Sequence, residues 1–141
     1  MKQPYKQVPV LGGGVAWLPI LRIQLSRNDV LTTPFEAIID SGAHDCLFSA
    51  DIAPAVGIPD FTTGILKISG GVVKGAQMKS YAHDVRLVIG SDNFKIEAYF
   101  SGEMPQGALL GRNGFFDKYV VTFDPRGDEP GFELTRVHQK K

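Results

Sequence analysis

The sequence contains only one cysteine, Cys46, and three histidines, His44, His83 and His138, among its 141 residues. A single cysteine cannot form a disulfide within the chain, and the histidines lack the spacing that is typical of a metal site. We therefore expect a protein from a reducing compartment that holds no metal and needs no other cofactor.

An excess of charge of either sign is also absent, since 15 lysines and arginines balance 15 aspartates and glutamates. This balance gives no electrostatic reason to expect binding to nucleic acid or to a membrane surface. The apolar stretch 8–25 is broken by Pro9, three glycines and Pro19, whereas a membrane-spanning helix needs about 20 apolar residues. No small-x-small cleavage site follows it. We expect a soluble, cytoplasmic protein, with secretion as the alternative.

Glycine and proline, by contrast, are frequent, with 16 and 9 residues spread along the chain. They divide it into short segments, several of which alternate apolar and polar residues, and this pattern is typical of an all-β domain. The length suits one domain, here residues 15–137, preceded by a segment 1–14 and followed by a polar tail 138–141. Short helices are predicted near 49–56 and 113–118, and strands at 16–25, 35–40, 64–68, 72–80, 83–89, 95–100, 119–124 and 131–136.

Two short motifs carry the functional signal. The apolar strand 35–39 ends in Asp40, Ser41, Gly42 and Ala43, so that an acid leaves a strand where a glycine allows a tight turn. About seventy residues later, two leucines precede a glycine and an arginine at 109–112. An acid in this position is well placed to act as a reactive carboxylate.

Together these motifs resemble the signature of the retropepsin-like aspartic proteases. That family has an Asp-Thr/Ser-Gly-Ala turn, followed late in the domain by two apolar residues and a glycine that pack beneath it. The resemblance extends over residues 15–136. It implies a retropepsin-like β-barrel with one or two short helices, a symmetric homodimer as the active form, and endopeptidase activity on a peptide or protein substrate.

The resemblance also implies a role for individual residues. Asp40 would be the catalytic acid, Ser41 would brace the paired turns, and Gly42 would offer its backbone to substrate. Gly70 and Gly71 would lie in a flap that closes over the peptide, although an ordinary hairpin turn is the alternative. Substrate contacts would come from Ala43, His44 and Asp45, and support of the turn from Leu109, Leu110, Gly111 and Arg112.

The chemistry of this family explains why one acid per chain implies a dimer. Two carboxylates share one proton, so that the ionised one activates water while the protonated one polarises the carbonyl. The sequence contains no second Asp-Ser/Thr-Gly. A second copy would therefore supply the missing acid across a two-fold axis. In such an interface, the same surface of each copy meets the other.

One position departs from the retroviral pattern. Retroviral members usually carry an aspartate directly after the turn, paired with the arginine that follows the late glycine. Here that position is His44, Asp45 lies one residue on, and Arg112 is retained. The pairing is therefore shifted, replaced by another partner, or absent.

Two classes of function remain open on the sequence. The intact Asp40 turn favours an active endopeptidase, whereas the departure at His44 favours a dimeric binding or assembly module that keeps the fold without cutting. Cys46, between apolar neighbours, is predicted to be a small buried core residue rather than a nucleophile.

Overall fold

A computed structural model describes residues 1–70, 77–104 and 107–138. Strands dominate these ranges, as the spacing of glycine and proline predicts. The helical segments are the four-residue α1, Ile52–Ala55, and a 3-10 helix at Phe61–Thr63. The strands are β1 Lys2–Pro4, β2 Lys6–Pro9, β3 Val15–Leu18, β4 Ile20–Arg27, β5 Val30–Leu31, β6 Phe35–Ile39, β7 Cys46–Ser49, β8 Ile65–Gly70, β9 Gln77–Ile89, β10 Asp92–Ser101, β11 Ala108–Leu110, β12 Tyr119–Asp124 and β13 Gly131–Arg136.

Six of these strands close into a barrel. Their order is β4, β6, β11, β7, β10 and β9, and β9 pairs back onto β4 through Gln24 to Ser26. Closure leaves β5 and β8 as the outer strands of the main sheet, and the inward residues of the six barrel strands share one core. The all-β prediction and the predicted barrel are both confirmed.

The core is built from the alternating apolar residues of the barrel strands. On β4, for example, Leu21, Ile23 and Leu25 are buried while Arg22 between them is exposed. Phe48 and Phe100 pack against each other at a ring distance of 5.6 Å in the centre. This period of two is the reason that these segments form strands facing a single interior.

The N-terminal residues form two further sheets outside the barrel. Strand β1 pairs with β13, which also pairs with β12, and the Met1 amino group donates to the Leu134 carbonyl oxygen at 3.0 Å. Strands β2 and β3 form a separate two-stranded hairpin, 6–18, which we call the arm. Its tip, Gly12 to Gly14, has positive φ at all three glycines, which is a conformation that other residues rarely adopt.

Most of the predicted strands are confirmed, and 119–124 and 131–136 have the predicted bounds. The predicted strand 16–25 is interrupted at Pro19, and 83–89 is part of the longer β9. Of the predicted strand 72–80, residues 72–76 lie outside the described ranges. The short strands β1, β2, β5, β7 and β11 were not predicted, because two to four residues give too little periodicity to recognise.

The helix predictions had mixed outcomes. The first is confirmed in shortened form as α1, with Gly57 beyond its end at φ +83°. The second, 113–118, is wrong, because Gly114 has φ +105° and the amides of Phe116 and Asp117 bond five residues back instead of four. None of the helices that the structure describes has the length and apolar character needed to cross a bilayer.

Candidate active site

Asp40 lies at the end of β6 in a turn whose backbone is held on both sides. Its amide donates to the Leu110 carbonyl oxygen at 3.0 Å, and its own carbonyl accepts from the Ala43 amide at 3.1 Å. Its carboxylate oxygen Oδ1 accepts from the Gly42 amide at 2.9 Å. The side chain is half-buried, and Oδ2 has no hydrogen-bond partner among the described residues. One carboxylate oxygen is therefore fixed while the other is available.

The late apolar motif lies directly beneath this turn. Strand β11 runs between β6 and β7 and aligns Leu110 with Ile39, the residue before Asp40. Leu110 is completely buried and Leu109 is partly buried. Gly111 is packed so closely that a Cβ atom there would lie 2.2 Å from the carbonyl oxygen of Asp45. The structure thus brings Asp40 together with the residues expected to support it.

The residues after Gly111 run alongside the residues after Gly42. The Arg112 amide donates to the Ala43 carbonyl oxygen and the Asn113 amide to that of His44, both at 2.9 Å. The Asn113 side chain lies 3.3 Å from His44 Nε2 and 3.3 Å from Asp45 Oδ1. Arg112 is exposed, and its guanidinium makes no hydrogen bond within the described part of the chain. Its backbone, not its charge, holds the site together.

The cation that pairs with Asp45 is Lys67 on β8. The ammonium group donates to Asp45 Oδ2 and lies 4.9 Å from the centre of the Tyr99 ring. The Asp45 side chain is only 13% exposed, and a carboxylate this far out of water needs a partner. The pairing left open by the sequence is therefore replaced, since Asp45 pairs with Lys67 and not with Arg112.

Lys67 was missed because it lies 22 positions from Asp45. A single lysine in a strand gives no local signal of its partner. The hydroxyl of Tyr99, whose ring is beside Lys67, donates to Glu97. Burial, followed by this hydrogen bond, raises the pKa of Tyr99 above its usual value, so the phenol stays protonated. Lys67 is thus the cation that faces both Asp45 and a neutral aromatic ring.

Lys67→Met should lower the free energy of unfolding by about 1–3 kcal/mol, because it leaves the Asp45 carboxylate without its cation. Urea unfolding followed by circular dichroism would measure this loss. Lys95→Met is the matched control, since the Lys95 and Asp84 side chains are 67% and 64% exposed and such pairs contribute little. Equal stability of the two variants would contradict the assigned role of Lys67.

The predicted flap belongs to an antiparallel hairpin formed by β8 and β9. The two strands pair from Ile65 with Ala82 to Gly70 with Gln77. Gly70 is the last described residue of β8, and a Cβ there would meet nothing within 4 Å. Gly71 and the rest of the predicted flap tip lie outside the described residues. The flap assignment accordingly stays a prediction.

Cys46 is a core residue, as predicted. It is fully buried at the start of β7, and burial raises the pKa of its thiol to about 12. At neutral pH such a thiol contains almost no thiolate, which is the nucleophilic form. The residues that the structure describes hold no group of three or more histidine, cysteine or acidic side chains placed to bind a metal.

A second candidate site lies away from Asp40. A cleft of about 700 Å³ lies elsewhere, between Trp17 of the arm and the sheet formed by β1, β13 and β12, and it includes Asp124 and Glu129 but not Asp40. Its volume makes this cleft a second candidate for the functional site. The fixed carboxylate of Asp40 favours the turn, and the chemistry is the better guide, because a wide cleft without a positioned reactive group provides no catalysis.

No protein-family model and no curated protein matches this sequence. Solved structures do match the fold. A retropepsin-like aspartic protease from Rickettsia conorii is 19% identical, with a TM-score of 0.52, and the match covers 94% of this chain and 88% of that one. The EIAV protease complexed with the inhibitor HBY-793 is 18% identical, with a TM-score of 0.48, and that match covers 67% of this chain and 82% of that one.

The likeness to the Rickettsia conorii structure establishes the fold of this chain as retropepsin-like. It extends over nearly the whole length of both chains. Fold alone does not establish activity, because one fold can carry different functions. The function has to be argued from the chemistry of the Asp40 turn.

Proposed function

We propose that this chain is an aspartic endopeptidase that acts as a homodimer, with Asp40 of each copy forming one catalytic pair. The supporting observation is the geometry of Asp40, whose Oδ1 is held by the Gly42 amide at 2.9 Å. Its other oxygen is unoccupied by any described residue, and the turn is rigidly supported from below. In the proposed pair, this free oxygen is the one that accepts a proton from water.

In the proposed reaction the two carboxylates carry one proton between them. The ionised Asp40 accepts a proton from water as the water oxygen attacks the carbonyl carbon, while the protonated Asp40 donates a hydrogen bond to the carbonyl oxygen. The resulting tetrahedral intermediate collapses when the carboxylate that took the proton from water gives it to the amide nitrogen and the carbon–nitrogen bond breaks. One water is consumed, and each carboxylate returns to its starting state.

The neighbouring residues take the supporting roles. Ser41 is exposed and its hydroxyl has no partner among the described residues, so it is free to bond across the two-fold axis. The backbone at Gly42, with Ala43 and His44 beside it, offers hydrogen bonds to an extended peptide. Gly70 and Gly71 would close over that peptide from the hairpin of β8 and β9.

The proposal predicts cleavage of a peptide library with a bell-shaped dependence on pH and an optimum on the acidic side of neutrality. Two like charges in contact cannot both ionise easily, so activity requires the pair to hold a single proton. Rates measured across the pH range, with the cut sites mapped by mass spectrometry, would test this. A rate that rises steadily from acid to alkaline pH would contradict a shared proton.

A second candidate function is a dimeric module that binds peptides without cutting them. The observation that favours it is His44, which replaces the usual acid. The two functions separate in the same experiment. Peptides that are retained by the dimer but stay intact at every pH would support the binding module and refute the endopeptidase.

A further inference from the structure

The arm carries an apolar surface that is exposed to solvent. Val10, Leu11, Val15 and Trp17 are 45%, 104%, 53% and 44% exposed, respectively. The arm forms a sheet of only two strands, with no third strand in the described ranges. A two-stranded sheet is marginally stable in water on its own, and several exposed apolar side chains on one short hairpin make it a candidate contact surface.

The shape of the arm's tip is defined by its sequence. The Val10 amide donates to the Gly14 carbonyl oxygen and the Gly13 amide to that of Val10, both at 3.3 Å. The φ angles of Gly12, Gly13 and Gly14 are +88°, +96° and +85°, which suit glycine and strain other residues. This turn presents Leu11 entirely to solvent, so the exposure follows from the arm's own geometry.

The base of the arm lies beside the Asp40 turn. The Pro19 carbonyl oxygen, one residue after the arm ends, accepts from the amide of Ile39, the residue before Asp40, at 2.9 Å. Strand β4 runs antiparallel to β6 with Ile20 opposite Ile38, so the arm leaves the barrel at its Asp40 end. Lys6 anchors the base of the arm to β6 through both oxygens of Glu36 at 2.7 and 2.6 Å.

We propose that the arm docks on a second copy of this chain and stabilises the dimer that assembles the Asp40 pair. This inference rests on the proposed function, because the base of the arm lies at the Asp40 end of the barrel, which is the end where the proposed two-fold axis would place the second copy. Residues 7–18 carry no charge, which suits the apolar centre of an interface. Two-fold symmetry buries both arms at once. Replacing an apolar residue of the arm therefore changes two contacts in each dimer.

Leu11→Asp tests this proposal. We expect the dissociation constant of the dimer, measured by sedimentation velocity, to rise at least tenfold, because a charge then enters an apolar contact on both copies. Circular dichroism should be unchanged, since Leu11 makes little contact within one copy. Cleavage at low enzyme concentration should fall and return when the concentration is raised.

Leu31→Asp is the matched control. Leu31 is 56% exposed and pairs with Ser26 on β4, about 20 Å along the strand from the base of the arm. This variant should dimerise like the wild type. If it weakens the dimer as much as Leu11→Asp does, the arm has no special role.

The outcomes also separate this proposal from the endopeptidase itself. If the wild type is a dimer, Leu11→Asp is a monomer and neither protein cleaves peptides, the docking proposal is supported and the endopeptidase proposal is refuted. A Leu11→Asp protein that dimerises normally refutes the arm and leaves the activity standing. If that normal dimer has a raised KM, the arm contacts substrate instead, and a monomeric wild type refutes the docking proposal outright.

Discussion

Asp40→Asn is expected to lower peptide cleavage by more than about a thousandfold, with the fold and the dimer unchanged. Asparagine has the shape of aspartate, and its Oδ1 can still accept the Gly42 amide that Asp40 accepts at 2.9 Å. It cannot, however, take a proton from water. The measurement is the cleavage rate of the same peptides, with circular dichroism and sedimentation to establish that the variant is folded and dimeric.

The control for this variant is Asp51→Asn. Asp51 is exposed at the start of α1 and its side chain makes no capping hydrogen bond, so the same loss of charge should leave cleavage unchanged. Mixing wild type with an equal amount of folded Asp40→Asn should halve the activity as subunits exchange, because mixed dimers lack one acid. Undiminished activity in the mixture would mean that the two acids are not shared between chains.

Gly111→Ala is expected to destabilise the protein by about 3 kcal/mol, near the upper end of what overpacking usually costs. The added Cβ would lie 2.2 Å from the Asp45 carbonyl oxygen and 2.7 Å from that of Ala43. Both are backbone atoms of the segment that continues from the Asp40 turn, so relief requires the turn itself to move. A larger residue such as leucine should prevent folding altogether. Urea unfolding measures the change.

Gly70→Ala is the control for this substitution. The φ angle of Gly70 is not in the left-handed region, and a Cβ there meets no atom within 4 Å, so the free energy of unfolding should hardly change. Comparing the two alanines separates a tight contact at Gly111 from the general effect of replacing a glycine. Equal effects would mean that the turn tolerates a side chain beneath it.

The central part of the site could be predicted from the sequence because that part is encoded in two short motifs. Asp40 and Gly111 each lie next to the residues that identify them, so residue types and spacing are enough to recognise both positions. Their contact follows from the parallel pairing of β6 with β11. Because two distant segments carry no signal of their register, this contact could be inferred only from the family resemblance.

The parts that could not be predicted depend on contacts between distant segments. Lys67 approaches Asp45 only because the hairpin of β8 and β9 folds next to the turn, and no spacing rule encodes that approach. The segment 113–118 is predicted to be helical but is not. Tertiary packing opposes a helix there, because Gly114 lies so close to the Cys46 sulfur that a Cβ atom on residue 114 would be 3.2 Å from it.

The pairing of β1 with β13 has a consequence for the order of folding. Met1 bonds to Leu134, 133 positions away along the chain, whereas β9 and β10 are joined by a tight turn between Ile89 and Asp92. Joining distant segments costs more loop entropy than closing a hairpin, and chains with many such contacts fold slowly. The β9 and β10 hairpin should therefore form early, and the pairing of β1 with β13 should be among the last contacts to form.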